Sequence, residues 1–341
     1  MDRGTRWRFV RAFAMLLGSA ALPAQELANE IVVSFPPETI QVEFSRPAKL
    51  RELPAYASLR ERYMSPRLAA LEASLVQLGI RENDIDQIVL GWQAVENELG
   101  HDNDAAPAPD VTARAGRSAV LTRLDGLAAG RFDLDAIART ARGKHILGTV
   151  LEDGLKAYCL PGETATCVVF LSGSLGAFGS REGLHEILDA RNGRAANLAS
   201  ASHLLKLLYD VPANAAIWGI ATGHSAVADW FKGWLPGPED AKLDWSQPFE
   251  TVEALAYSVE VDENLRLDIN LDCKTPEAAS TLGQLFQGLK LLQQLGWLEQ
   301  NPLRTNPVRA LEVETGGNRV SLKVTAPPEE IQGLAWTWPR F

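Results

Sequence analysis

Alternation of apolar and polar residues marks most of the strands in this chain. Ile40-Gln41-Val42-Glu43-Phe44 alternates strictly and reads as a half-buried strand, introduced by Pro36-Pro37-Glu38-Thr39 after the short apolar run Ile31 to Phe35. Leu59, Tyr63, Leu68, Leu71, Leu75 and Leu78 then recur near helical spacing, so a helix is expected over Tyr56 to Leu78, interrupted at Pro66 and capped by Gly79. Ile85 to Trp92 and Ser118 to Leu124 predict two further strands, and Asp133 to Ala141 a short helix with Leu134, Ile137 and Ala138 inward. Ile146 to Val150, Leu155 to Leu160 and Thr166 to Leu171 complete an antiparallel set.

The same order returns further along. Val211-Pro212-Ala213-Asn214 leads into a strand at Ala215 to Ile220, and a helix is expected near Ser225 to Leu235. Strands follow at Thr251 to Val261 and Leu265 to Leu271. Next comes a helix over Pro276 to Leu295, with Thr275 as its N-cap and proline in its first turn. Val308 to Val313, Gly316-Gly317-Asn318 and Val320 to Val324 form a hairpin. Each half thus reads β-α-β-β-α-β with a further hairpin strand. The expectation is an α+β protein of two tandem ferredoxin-like antiparallel-sheet domains, over residues 25–195 and 196–341. Residues 96–116 contain almost no large apolar side chain and two prolines, and are expected to be a mobile loop.

The N-terminus changes the picture of where the chain works. Arg3, Arg6, Arg8 and Arg11 precede the apolar run Ala12 to Leu22, which is far short of the ~20 residues that cross a bilayer. Residues 1–24 therefore read as a signal peptide, with Ala20, Ala21 and Ala24 as small residues for cleavage, and the chain as exported to the periplasm or beyond. No later segment is apolar enough for a transmembrane helix.

Charge and cysteines narrow the partners. A net charge of −10 lacks the broad basic surface that nucleic acid requires, and 46% hydrophobic with 22% charged residues is a globular composition. Cys159 and Cys167 flank Gly162, Glu163 and Thr164 in a hairpin whose register sets the two cysteines opposite each other, within reach of a disulfide. Whether they bridge is left open by the sequence. Cys273 is left over and reads as a small buried apolar residue.

Candidate chemistry is sparse. Gly173, Gly176 and Gly179 stand between a strand and a helix, but the spacing is that of no phosphate loop; a glycine turn into a helix capped by Ser180 accounts for it. Gly223-His224-Ser225 with Asp229 lacks the pattern of a nucleophile elbow. His101, His145, His185, His203 and His224 are scattered without metal-ligand spacing, and Asp268, Asn270 and Asp272 share one outward strand face. Trp230 and Trp234 form a helix stripe that reads as core. No catalytic residue, cofactor-binding residue or metal ligand is assigned.

Gly179, Ser180, Leu184, Gly193, Leu198, Leu205 and Pro212 mark a glycine–serine turn, a short helix, an Asn/Gly break, a second helix and a proline before a strand. On these positions residues 177–218 resemble a broad uncharacterised class of secreted bacterial proteins. It implies an extracytoplasmic, duplicated α+β architecture and transfers no catalytic residue. The expected function is a non-enzymatic binding or envelope-interaction module, with an envelope protein or small ligand as partner and no nucleic acid. The alternatives are an extracytoplasmic hydrolase with its site near residues 223–229, and a small-molecule carrier using a cleft between the halves.

Overall fold

The computed structural model describes residues 23–53, 56–57, 60, 66–95, 121–151, 153–160, 166–212, 214–223, 227, 246–294 and 311–327. Its strands are β1 Thr39–Ser45, β2 Ile85–Val95, β3 Leu121–Gly130, β4 Gly148–Val150, β5 Lys156–Leu160, β6 Thr166–Phe170 and β7 Leu175–Gly179. They continue with β8 Ile217–Thr222, β9 Val252–Val261, β10 Leu265–Cys273, β11 Leu311–Gly316 and β12 Arg319–Ala326. The helices are α1 Pro23–Ser34, α2 Pro47–Leu50, α3 Pro66–Gln77, α4 Leu134–Gly143, α5 Arg181–Arg191, α6 Ser202–Asp210, α7 Ser246–Phe249 and α8 Pro276–Gln294.

All described strands join one 12-stranded antiparallel sheet in the order β11-β12-β10-β9-β8-β1-β2-β3-β7-β6-β5-β4. The α+β class with an antiparallel sheet stands. The ferredoxin-like arrangement does not match this order, because a split β-α-β unit places a third strand between the two that its helix joins. Here β1 pairs directly with β2, and β8 with β9. The strands of both halves also meet in one sheet, through antiparallel pairing of β1 with β8.

Side-chain alternation sorts the core onto two faces. Val42 and Phe44 of β1 point to one face, together with Val89, Leu127, Trp218 and Ile220, and there they meet Leu27 and Ile31 of α1, Leu184 and Ile187 of α5, and Leu204 and Leu207 of α6. The opposite face carries two clusters. One gathers Leu71 and Leu75 of α3 and Ile137 and Ala141 of α4 over β2, β3 and β5 to β7. The other gathers Ala279, Leu282 and Phe286 of α8 over β9 to β12.

Local chemistry sets the ends of these helices. Asp133 accepts the Ala136 N–H at 2.9 Å and caps α4, whose Ile137 and Ala141 are one turn apart and buried. Thr275 accepts the Ala278 N–H at 3.2 Å before Pro276 opens α8. Gly79 closes α3 at φ +82°, where a side chain would strain the backbone. The apolar run Ile31 to Phe35 belongs to the end of α1 and the turn beyond it, with Ile31 and Phe35 one turn apart and fully buried. The segment 96–116, most of the helix expected at 225–235, and the tryptophans at 230 and 234 lie outside the described residues.

Candidate functional site

The strongest concentration of charge in the interior lies under the first turn of α5. Strand β3 does not end at Leu124 but continues through Asp125 and Gly126, placing Asp125 on the sheet face covered by α5, with no exposed surface. Arg123, two residues earlier and on the same face, donates from Nε to Asp125 Oδ2 at 2.9 Å. It also donates to Gln93 Oε1 at 2.5 Å and to Glu186, and stands 3.7 Å from Glu182. Ser180 Oγ caps α5 by accepting the Gly183 N–H at 2.9 Å, while the Ser180 N–H donates to Asp125 Oδ1 at 3.1 Å. A Cβ on Gly179 or Gly183 would sit 2.1 or 2.0 Å from Asp125 Oδ1, so both glycines let the backbone close over the carboxylate.

Burial pushes the Asp125 carboxyl above its ordinary 3.8, and the Arg123 guanidinium opposes that shift without cancelling it. Both carboxylate oxygens are engaged by described donors and the group is sealed from solvent. This arrangement fastens α5 to β3. It is not poised to exchange a proton with a substrate, because a general acid or base must reach the reacting group.

The residues singled out in the sequence are dispersed. Gly176 and Gly179 lie within β7 and Gly173 in the bend before it, so they form a strand rather than a phosphate loop. Cys159 and Cys167 are directly paired across β5 and β6 and joined by a disulfide, with Cα atoms 3.9 Å apart. Cys273 is a buried free thiol, pushed up to about 11 chiefly by burial. Asp272 is held by Arg319 Nε at 2.6 Å, and Asn270 accepts the Ser321 hydroxyl at 2.7 Å, so this strand face is a polar ladder. Among the described residues no group of three or more His, Cys, Asp and Glu is placed to hold a metal ion. Gly223 adopts φ +90°, and His224, Ser225 and Asp229 lie outside the described residues.

A second feature sits at the end of the sheet, where β4 is the terminal strand among those described. His145, in the left-handed region at φ 57°, follows the end of α4, and Ile146 donates its N–H to Ala141 O at 2.9 Å as the chain turns toward the edge. Leu147 is 84% exposed and Val150 68% exposed. The Leu151 N–H donates inward to Leu155 O at 2.8 Å, so antiparallel alternation turns the peptide groups of Gly148 and Val150 outward, away from β5. Arg139, Arg142 and Lys144 precede this edge in the chain and Lys156 pairs with Val150 across it, and all four are exposed. None of the four is ion-paired with a described residue. Gly148 leaves room for the Lys156 stem, whose ammonium lies 5.5 Å from the centre of the Tyr158 ring.

Sequence reasoning missed both features. Asp125-Gly126 has the look of a turn, which hid the continuation of β3; the signal for it was Arg123 and Asp125 at strand spacing. The edge was visible as Ile146 to Val150 but not as an edge, since strand order is a property of the whole sheet.

No protein-family model matches this chain, and no curated protein matches it. Among solved structures, it is similar to crystal form I of TP0453, at 9% identity and a TM-score of 0.45, over 89% of this chain and 94% of that one.

Proposed function

We propose that this chain is an extracytoplasmic, non-enzymatic interaction module built on an internally duplicated scaffold. One observation carries the interaction reading: β4, terminal among the described strands, combines exposed Val150 and the exposed Leu147 just before it with outward main-chain groups, which is a surface fit for a protein partner. By contrast, the buried Arg123–Asp125 cluster is consumed in joining α5 to the sheet. Support for export comes from the basic, then apolar, N-terminus and from a disulfide, which persists in oxidising compartments. Support for duplication comes from strand order. Outward from the β1–β8 seam, β1-β2-β3-β7-β6 runs one way and β8-β9-β10-β12-β11 the other, each three successive neighbours followed by a hairpin.

Photocrosslinking in the expressing cells tests this reading. A crosslinker replacing Leu147 is expected to yield one dominant adduct with another protein in the exported fraction. The same group replacing Leu291, which is 59% exposed on α8, is expected to yield none. Equal adduct patterns from both positions, or a chain retained in the cytoplasm, would overturn the proposal.

A further inference from the structure

The two ends of the sheet differ in how they treat a free strand. At the β11 end, Glu312 and Glu314 are exposed along the terminal strand, and such charges discourage another strand from adding. At the β4 end the sequence Leu147-Gly148-Thr149-Val150 carries no charge at all. Lys156, across from Val150 on β5, lies beside it, and three more exposed cations precede it in the chain: Arg139 and Arg142 on α4 and Lys144 just beyond α4. Asp153, the described acid in the β4–β5 turn, is held by Arg194 at 2.6 Å and by Asn192 at 3.0 Å, so it does not neutralise them. On a chain of net charge −10, an edge strand without charge of its own, with Lys156 beside it and Lys144 just before it, is a place where an acidic segment meets attraction rather than repulsion.

We infer that β4 accepts an extended, acidic segment of a partner protein, which adds to the sheet as its thirteenth strand. This rests on the interaction reading of the same edge. The outward peptide groups of Gly148 and Val150 supply main-chain hydrogen bonds, Leu147 and Val150 supply apolar contact, and Lys144 and Lys156 select carboxylates. Outward main-chain groups, which a lipid surface does not pair, favour an added strand over a membrane as the occupant.

The test uses the disulfide-bonded chain and a labelled peptide alternating Glu with Val, read by fluorescence anisotropy. Controls are the same composition with Glu and Val in separate blocks and a Lys/Val alternating peptide. The expected result is saturable binding of the Glu/Val peptide, no binding of the Lys/Val peptide, and weakening as salt is raised. Val150→Pro removes an N–H that points away from β5, so the internal ladder is kept, and it is expected to weaken binding about tenfold. Lys144→Glu with Lys156→Glu is expected to weaken it at least about tenfold as well. Circular dichroism and an unchanged melting temperature establish that each variant is folded.

Equal affinity for the block peptide, or full affinity in folded Val150→Pro, would overturn strand addition. Binding to phosphatidylglycerol vesicles with no binding to the peptide would assign the edge to membranes instead. Self-association through this edge, abolished by Val150→Pro, would make a second copy the occupant and equally overturn the acidic partner. If the peptide fails while the Leu147 crosslink survives, only the acidic-strand assignment falls; if both fail, the edge is not an interaction site.

Discussion

Asp125 is the residue at which the chain departs furthest from ordinary sequence expectation. A carboxylate with no exposed surface survives because Arg123 and the Ser180 N–H meet its two oxygens, and because Gly179 and Gly183 bring the start of α5 down onto it. Removing the carboxylate leaves the Ser180 N–H without its acceptor and Arg123 with Glu186 and Gln93, so Asp125→Ala is expected to cost about 1–3 kcal/mol in urea unfolding. The raised carboxyl also makes a signed prediction. The native state holds the Asp125 proton more tightly than the unfolded state, so this group's contribution is full below 3.8 and falls as pH rises through the higher folded value. Asp125→Asn removes that titration. The stability difference between the native chain and Asp125→Asn is therefore expected to shrink as pH rises through this window and then level off. A difference that grows with pH would mean that attraction to Arg123 outweighs desolvation.

Among the elements, α1 shows how closely helix and sheet approach. A Cβ on Gly91 of β2 would sit 2.3 Å from Cε1 of Phe35, the residue that follows α1, so glycine is what lets this ring lie flat against the strand. Gly91→Ala is expected to destabilise the fold by about 1–3 kcal/mol through overpacking. Phe35→Ala removes the obstacle, so the double variant is expected to be less destabilised than the sum of the two single changes, as a double-mutant cycle in urea would measure. Elements of this kind divide by how local their cause is. β10 was legible because Leu265, Leu267, Ile269 and Leu271 alternate with polar residues, and the buried positions are those four and Cys273. The β5–β6 register was legible from the turn, which sets Cys159 opposite Cys167. α1 was not, because Leu27, Ile31 and Phe35 are spaced by four while the eye follows the continuous run at its end. Nor was β7, since its glycines are required by packing: Gly179 lies against Asp125, a residue distant in sequence.

At the scale of the whole molecule, the question is whether the two halves are separable. The core beneath α1, α5 and α6 takes Phe44 and Val89 from one half and Trp218, Ile220 and Ala256 from the other. Phe44 and Trp218 are directly paired across the β1–β8 seam, with ring centroids 5.3 Å apart and planes 14° from parallel. On the other face the Tyr257 hydroxyl donates to Glu43 Oε2 at 2.7 Å over Gly219, where a Cβ would meet the Tyr257 ring at 2.3 Å. Cutting between residues 195 and 196 would uncover this seam on both pieces, exposing two long unprotected strand edges and the apolar residues beside them. The full chain is therefore expected to unfold in one transition, with tryptophan fluorescence and far-ultraviolet circular dichroism coincident in urea. Residues 25–195 and 196–341 made separately are expected to show no cooperative transition alone and to regain one when mixed. A fragment that unfolds cooperatively by itself would show that the seam joins two autonomous units, and the sheet would then be continuous in geometry but not in energy.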